Sequence, residues 1–391
     1  MNGLRNKLRM MDAAPARPSA AAPVRQPPPT SDCYHHETCY PLSAFCDLRH
    51  ATPAVLESVF GVPFPASFRP EDVLFLDTET TGLSGGVGTI AFEVGLGYLT
   101  DAGFAVEQFL MRDYPQEPDL LKRLETRMKR FSVLCTFNGR TFDAPLLKSR
   151  FLMNRLPDGC FPDVHADVLY PARRLWKLRL KQCNLATLEA ALLGVNREDD
   201  LPGALVPQTY FQYLKDGDFA PLERVLEHNR QDIVSLAQLF FMLCQLTAKP
   251  EEIREAQDLF SLAKAMEKRG DRQRAMKCYR LCASGALRSD AYRAMAVAQK
   301  REGNLRAVEK LCQSMARQGE DAVFACETLA KLYEHQFRQP ETALHYTRQA
   351  LLLLAEPTLE KNRAVQEKQI ALQYRYARLR RKLEKAPPAT H

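Results

Sequence analysis

Asp77 and Glu79 stand two residues apart at the end of the apolar run "VLFLDTET". Residues at that spacing in a β-strand project from one face, so two carboxylates lie side by side. Such a pair repels and resists desolvation unless a cation joins it. A strand end with one acid capping the next turn would explain either residue, but not easily both. Hard divalent cations such as Mg²⁺ and Mn²⁺ prefer oxygen ligands. Metal binding is the chemistry this spacing points to.

More candidates follow along the chain. "CTFNGRTFDAPLL" sets Asn138 at a strand end and Asp143 in the first turn of a helix, and "LEHNRQDIVSL" sets His228 and Asp232 four apart on one helical face. Taken singly each is ordinary, since an Asp at a helix start is usually a cap. Asp167 in "HADVLYP" marks a strand-to-helix transition, where a cap is expected and support of a metal site is the alternative. Nearby His165 is expected to be structural. "GLSGGVG" lacks the GK[ST] ending of a phosphate-binding P-loop. Its Gly82, Gly85, Gly86 and Gly88 are read as a bent turn beside the acids, either admitting a nucleotide or simply closing a hairpin. "RRLWKLRLK" interleaves Arg173, Arg174, Lys177, Arg179 and Lys181 with Trp176. That suits phosphate contacts plus a stacking ring, or equally a solvated helix face with the indole turned inward.

The elements that must carry these residues are legible. "VLFLDTET" reads as a central strand, and "GTIAFEVGLGYL" and "FAVEQFLMRD" as antiparallel neighbours. A helix is expected over 117–130, a fourth strand over 132–138, a helix from about Thr141, and a short fifth strand before "PARRLW". Asn184 is a candidate N-cap for a helix ending at Gly194, and a longer helix is expected over 222–246. This order predicts a mixed α/β sheet with flanking helices. From about residue 253 only helices are expected, in self-similar segments with Ala275, Ala307 and Ala343 at equivalent sites and Gly270 and Gly303 in equivalent turns. The spacing is close to the period of tetratricopeptide repeats, about 34 residues, although their Trp and Gly positions are missing and a generic helical hairpin array is the alternative.

Composition narrows the class. The chain has 391 residues, 46% of them hydrophobic, and a net charge of +7. Residues 1–50 carry a net +2, residues 51–250 a net −4 and residues 251–391 a net +9. An acidic middle suits a cation, and a basic end suits a polyanion or the charged outer faces of helices. No apolar stretch approaches the roughly 20 residues of a membrane span, and the first 30 residues lack the apolar core of a secretory signal. The protein is therefore expected in the cytoplasm with its cysteines as thiols. "CYHHETCYPLSAFCDLRH" contains Cys33, His35, His36, Cys39, Cys46 and His50, at spacings that fit no common zinc site. The expected organisation is 1–50 mostly disordered, 51–70 a linker, 71–247 the α/β domain and 253–385 the repeats with a terminal basic helix.

DxE on a first strand, N-x4-D some way on and a last Asp on a late helix resemble the DEDD 3′–5′ exonucleases of the RNase H-like superfamily. "TGLSGGVGTIAFEVGLGYL", "PARRLW", "DDLPGALVPQTYFQYLKDGD" and "LEHNRQDIVSLAQL" further resemble the bacterial RNase H-like proteins of YprB type. That family joins a predicted exonuclease domain to tetratricopeptide repeats. The resemblance implies that Asp77, Glu79, Asp143 and Asp232 hold two Mg²⁺ or Mn²⁺ ions for phosphodiester hydrolysis. In that scheme Asp77 bridges both ions, Glu79 and Asp232 hold the ion carrying the water, and Asp143 serves the second. His228 occupies the register of a catalytic Tyr, and is either a catalytic base or a bystander. Thr78, Gly82, Leu83, Asn138, Phe142, Arg173 and Arg174 become substrate-binding candidates. A single-stranded 3′ end of DNA or RNA is the implied substrate, with an unidentified protein partner on the repeats. The alternative is a repeat scaffold whose RNase H-like domain binds nucleic acid without turnover.

Overall fold

The computed structural model describes residues 32–82, 88–197, 201–355 and 363–384. It divides into two compact units. The first comprises Met1–Pro41, Val73–Asp163 and Arg197–Val234, and the second Leu42–Asp72, Val164–Asn196 and Ser235–His391.

The elements up to the end of the long helix are β1 (Tyr34–Tyr40), α1 (Pro53–Phe60), β2 (Val73–Thr80), β3 (Ala91–Thr100), β4 (Gly103–Leu110), α2 (Glu117–Met128), β5 (Val133–Thr136), α3 (Asp143–Met153), β6 (Val164–Asp167), α4 (Leu169–Leu180), α5 (Leu185–Leu188), α6 (Val206–Asp216) and α7 (Ala220–Ala248). The strands form one mixed sheet in the order β1-β4-β3-β2-β5-β6. β2 runs antiparallel to β3 and parallel to β5. Its first four residues, Val73–Leu76, are fully buried, as a strand covered on both faces requires. The antiparallel meander β2-β3-β4 and the later βα alternation match the expected α/β class.

The N-terminal segment differs from expectation. Tyr34–Tyr40 is not disordered but an edge strand paired antiparallel with β4, from Tyr34 opposite Leu110 to Tyr40 opposite Phe104. One face of β1 is half-buried and the other, with His35, Glu37 and Cys39, is exposed. Within 51–70, Pro53–Phe60 is a helix capped by Thr52, whose side chain accepts from the Val55 amide. Residues 1–31 lie outside the described residues.

The first unit's core gathers Leu74, Phe92, Leu96, Phe109, Leu147 and Tyr210, among others. The ring of Tyr210 on α6 stacks on Phe92 at 4.0 Å between centroids. α7 is long and apolar enough to cross a membrane by length and composition alone, yet most of it is buried in the protein. Two glycines bring α7 against the sheet. A Cβ at Gly95 would lie no farther than 3.0 Å from three atoms of the Asn229 side chain, and one at Gly97 would lie 2.5 Å from Ile233 Cγ2. Four residues of helix advance about 6 Å and two of strand about 6.6 Å. Asn229 and Ile233 therefore step along β3 in time with Gly95 and Gly97.

In the second unit, Asn184 caps α5 as expected, accepting from the Thr187 amide at 2.8 Å, and Gly194 closes the following turn with φ 68°. Trp176 on α4 is fully buried. It is a core residue and not a stacking platform for a base. Arg174 donates to the Val59 carbonyl at 2.9 Å, and Arg269 donates to those of Glu57 and Val59. Two arginines thus satisfy the carbonyl end of α1.

Seven helices follow among the described residues: α8 (Ala256–Lys268), α9 (Arg272–Cys282), α10 (Arg288–Arg301), α11 (Leu305–Gln318), α12 (Ala322–His335), α13 (Pro340–Leu354) and α14 (Arg363–Glu384). Gly270 and Gly303 turn at φ 86° and 76°, the left-handed conformation glycine adopts without strain. Ala275 and Ala343 are buried, but Ala307 is exposed and Val308 is buried instead. The expected alanine equivalence therefore fails by one residue in α11.

Candidate active site

β2, α3 and α7 carry the four candidate acids. Asp77 and Glu79 share one face at the end of β2. Asp143 is the first residue of α3 and is buried. The Thr78 hydroxyl donates to Asp143 Oδ1 at 2.5 Å, tying the start of α3 to the strand between the two acids. The turn before it places Asn138 at φ 67°, with the Thr141 hydroxyl donating to Asn138 Oδ1 at 3.0 Å. Phe142 occupies the position preceding α3 and is half-buried.

On α7, His228 stands between two of the acids. Its Nε2 lies 3.9 Å from Glu79 Oε1 and 3.8 Å from Asp232 Oδ2. These side chains are 12–16% exposed, mostly desolvated but reachable from solvent. One turn of helix supplies another contact, since Asn229 Nδ2 donates to Asp77 Oδ2 at 3.1 Å.

The acids lie near enough to oppose one another's ionisation. Burial pushes the Asp77 carboxyl well above the usual range, and the charges of Asp232 and Asp143 push it further. Glu79 is raised in the same way by burial, then by Asp77, Glu93, Asp232 and Asp143. Each added negative charge makes the next ionisation harder. An all-oxygen donor set that resists ionising together is suited to a hard divalent cation. Carboxylate oxygens are the donor type that Mg²⁺ and Mn²⁺ prefer.

Sequence reasoning missed two contributors. Arg197 reaches into the group, its Nη2 pairing with Asp232 Oδ1 and its Nη1 lying 3.2 Å from His228 Nδ1. Arginine only donates, so Nδ1 accepts and the ring hydrogen sits on Nε2. Arg197 thus satisfies two candidate site residues at once, and a cation at Asp232 has to compete with it. Only the run "NREDD" beside the acidic middle could have drawn attention to it. The second is Glu93, opposite Glu79 in the β2–β3 register. It is fully buried and pushed up to about 8, chiefly by burial.

The other candidates fall as follows. The Gly82 carbonyl accepts from the Thr80 hydroxyl at 2.8 Å, while Leu83, Gly85 and Gly86 lie outside the described residues. Arg173 is exposed on α4, and Arg174 is engaged at the end of α1. Asp167 Oδ1 accepts from the Leu169 amide at 3.1 Å, the capping role expected of it. No disulfide forms among the described residues, and the eleven cysteines remain thiols. His35, Glu37 and Glu107 bring three potential ligand atoms within 4.8 Å of one another. Both Glu107 oxygens, however, already accept from Arg127 at 2.7 Å.

The chain is 30% identical over 368 residues to the protein described as "Uncharacterized protein YprB" of Bacillus subtilis (strain 168), covering 90% of this chain and 86% of that protein. The chain belongs to the YprB family. Within this YprB-family chain, residues 74–244 match the RNase H superfamily. That span contains all four acids. Among solved structures it is similar to the family B DNA polymerase from the hyperthermophilic archaeon Pyrobaculum calidifontis, at 14% identity and a TM-score of 0.37, over 54% of this chain and 30% of the polymerase. The YprB-family architecture here is an RNase H-like mixed sheet with flanking helices, followed by an all-helical region.

Proposed function

We propose that this protein is a metal-dependent 3′–5′ exonuclease that hydrolyses phosphodiester bonds of nucleic acid. The observation that carries the reading is that His228 lies 3.9 Å from Glu79 and 3.8 Å from Asp232, with Asp143 and Asp232 close enough to raise the Asp77 carboxyl. The RNase H superfamily match over residues 74–244 supports a nuclease.

In this reading the four carboxylates hold two Mg²⁺ or Mn²⁺ ions. Such ions generate a nucleophile from water and stabilise the leaving oxygen. Thr78 orients Asp143 through its hydroxyl, and the β2 strand holds Asp77 and Glu79 in fixed register. Once Arg197 is drawn from His228 Nδ1, the imidazole can present an unprotonated nitrogen and accept a proton from the attacking water. Gly82, Asn138 and Phe142 flank the acids in sequence and are candidates to meet a single-stranded 3′ end. The helical region, read as degenerate tetratricopeptide repeats, docks a protein partner.

A second reading is a scaffold whose RNase H-like domain binds nucleic acid without turnover. The pairing of Arg197 with Asp232 favours it, because an internal cation already neutralises one of the acids.

The test is incubation of end-labelled single- and double-stranded DNA and RNA with the full chain in Mg²⁺, Mn²⁺ or EDTA. A ladder shortening from the 3′ end, absent in EDTA and in Asp77→Asn, supports the exonuclease. Salt-sensitive retention of intact oligonucleotide in every metal supports the scaffold.

A further inference from the structure

Asp77 is held by a chain of buried amides that begins two strands away. Its Oδ2 accepts from Asn229 Nδ2 at 3.1 Å. Asn229 Oδ1 accepts from Gln108 Nε2 at 3.2 Å. Glu93 Oε1 at 2.9 Å and the Leu226 carbonyl at 2.7 Å lie against the same Gln108 nitrogen, so its two hydrogens are shared among three acceptors, with Asn229 the longest contact. Glu93, Gln108 and Asn229 are all fully buried, so water does not substitute for a wrongly turned amide.

The carboxylate oxygen of Asp77 accepts, so the NH₂ of Asn229 faces it and the Asn229 oxygen turns back toward the Gln108 nitrogen. The Leu226 carbonyl only accepts, and it holds the NH₂ of Gln108 on that side. Flipping Asn229 sets its oxygen against the Asp77 carboxylate in a buried place, where an unmade hydrogen bond is most expensive.

The strand is shaped to admit this amide. Gly95 lies directly opposite Asp77 in the β2–β3 register, and a Cβ there would collide with the Asn229 side chain. The sheet therefore supplies no side chain beside Asp77, and the helix fills the space with a donor. Among the described residues Asn229 is the one hydrogen-bond partner of Asp77, and Oδ1 is left for a cation.

We propose that Asn229 is a positioning residue, backed by Gln108 and admitted by Gly95, that fixes the Asp77 carboxylate for metal binding. This rests on the metal-dependent reading above. Outer partners of metal ligands commonly change affinity by about 10–100-fold.

The experiment measures Mn²⁺ binding to the full chain by electron paramagnetic resonance, with oligonucleotide retention in EDTA as a second readout. Asn229→Ala, and the similarly sized Asn229→Leu in case the alanine variant does not fold, are expected to bind Mn²⁺ about tenfold more weakly while retaining oligonucleotide as the parent does. Gly95→Ala is expected to show the same loss alone, and almost none when added to Asn229→Ala, where the collision partner is gone. Mn²⁺ affinity within about twofold of the parent in the folded Asn229 variants, or an undiminished Gly95→Ala loss in the Asn229→Ala background, overturns the inference. A parent chain that binds no Mn²⁺ instead overturns the metal-dependent reading, and this inference with it.

Discussion

The Arg197 guanidinium pairs with the Asp232 carboxylate across 35 residues of sequence, within the group where a divalent ion is proposed to sit. Both side chains are mostly buried, so the pair is weakly screened. Removing the guanidinium takes away a competitor for Asp232. Arg197→Gln is expected to bind Mn²⁺ roughly tenfold more tightly, about 1.4 kcal/mol, by isothermal titration calorimetry. Unchanged or weaker binding would mean that Arg197 assembles the site instead of competing for it.

Asp77→Asn separates function from folding. The buried Asp77 carboxyl is raised by its own desolvation and by Asp232 and Asp143, so its ionised form strains the metal-free fold. The neutral amide is expected to abolish cleavage and raise the melting temperature in EDTA by a few degrees, on the order of 1 kcal/mol. Calorimetry beside the oligonucleotide assay checks both halves.

The same groups set a pH dependence. Glu93 is raised from its ordinary 4.5 to about 8, and Asp77 and Glu79 shift in the same direction. The folded chain then binds more protons than the unfolded one, so stability falls as pH rises. For Glu93 its contribution is fully present below 4.5 and lost as pH climbs through about 8. Melting temperatures in EDTA from pH 5 to 9 are expected to decline, with Mn²⁺ restoring more stability at the alkaline end, where the carboxylates are ionised.

Trp176 tests the reading of α4. A fully buried indole contributes packing, and Trp176→Ala is expected to destabilise the chain by about 3–5 kcal/mol in urea unfolding. Oligonucleotide retention, measured where the variant remains folded, should be unchanged. A selective loss of retention would restore the stacking role.

How much of this was legible depended on which forces were local. The apolar run before Asp77 fixed the central strand, and its alternation put Asp77 and Glu79 on one face. β1 was missed because an edge strand half-buries one face only, and "YHHETCY" offers no apolar run. Arg197 and Glu93 were missed for a related reason: an ion pair between separate segments and a cross-strand neighbour are set by tertiary register, which residue spacing does not encode. Gly95 and Gly97 stood in plain view, but their meaning depended on the helix that packs over them. In α11 a visible alanine pattern slipped by one residue because Val308 fills the buried position.

Asp77, Glu79, Asp143 and Asp232 are proposed to hold divalent cations. Anomalous diffraction from crystals of the full chain soaked in Mn²⁺ is expected to show strong peaks coordinated by these carboxylates, with Arg197 withdrawn from Asp232. No peak there, or manganese only beside His35, Glu37 and Glu107, would contradict the proposal.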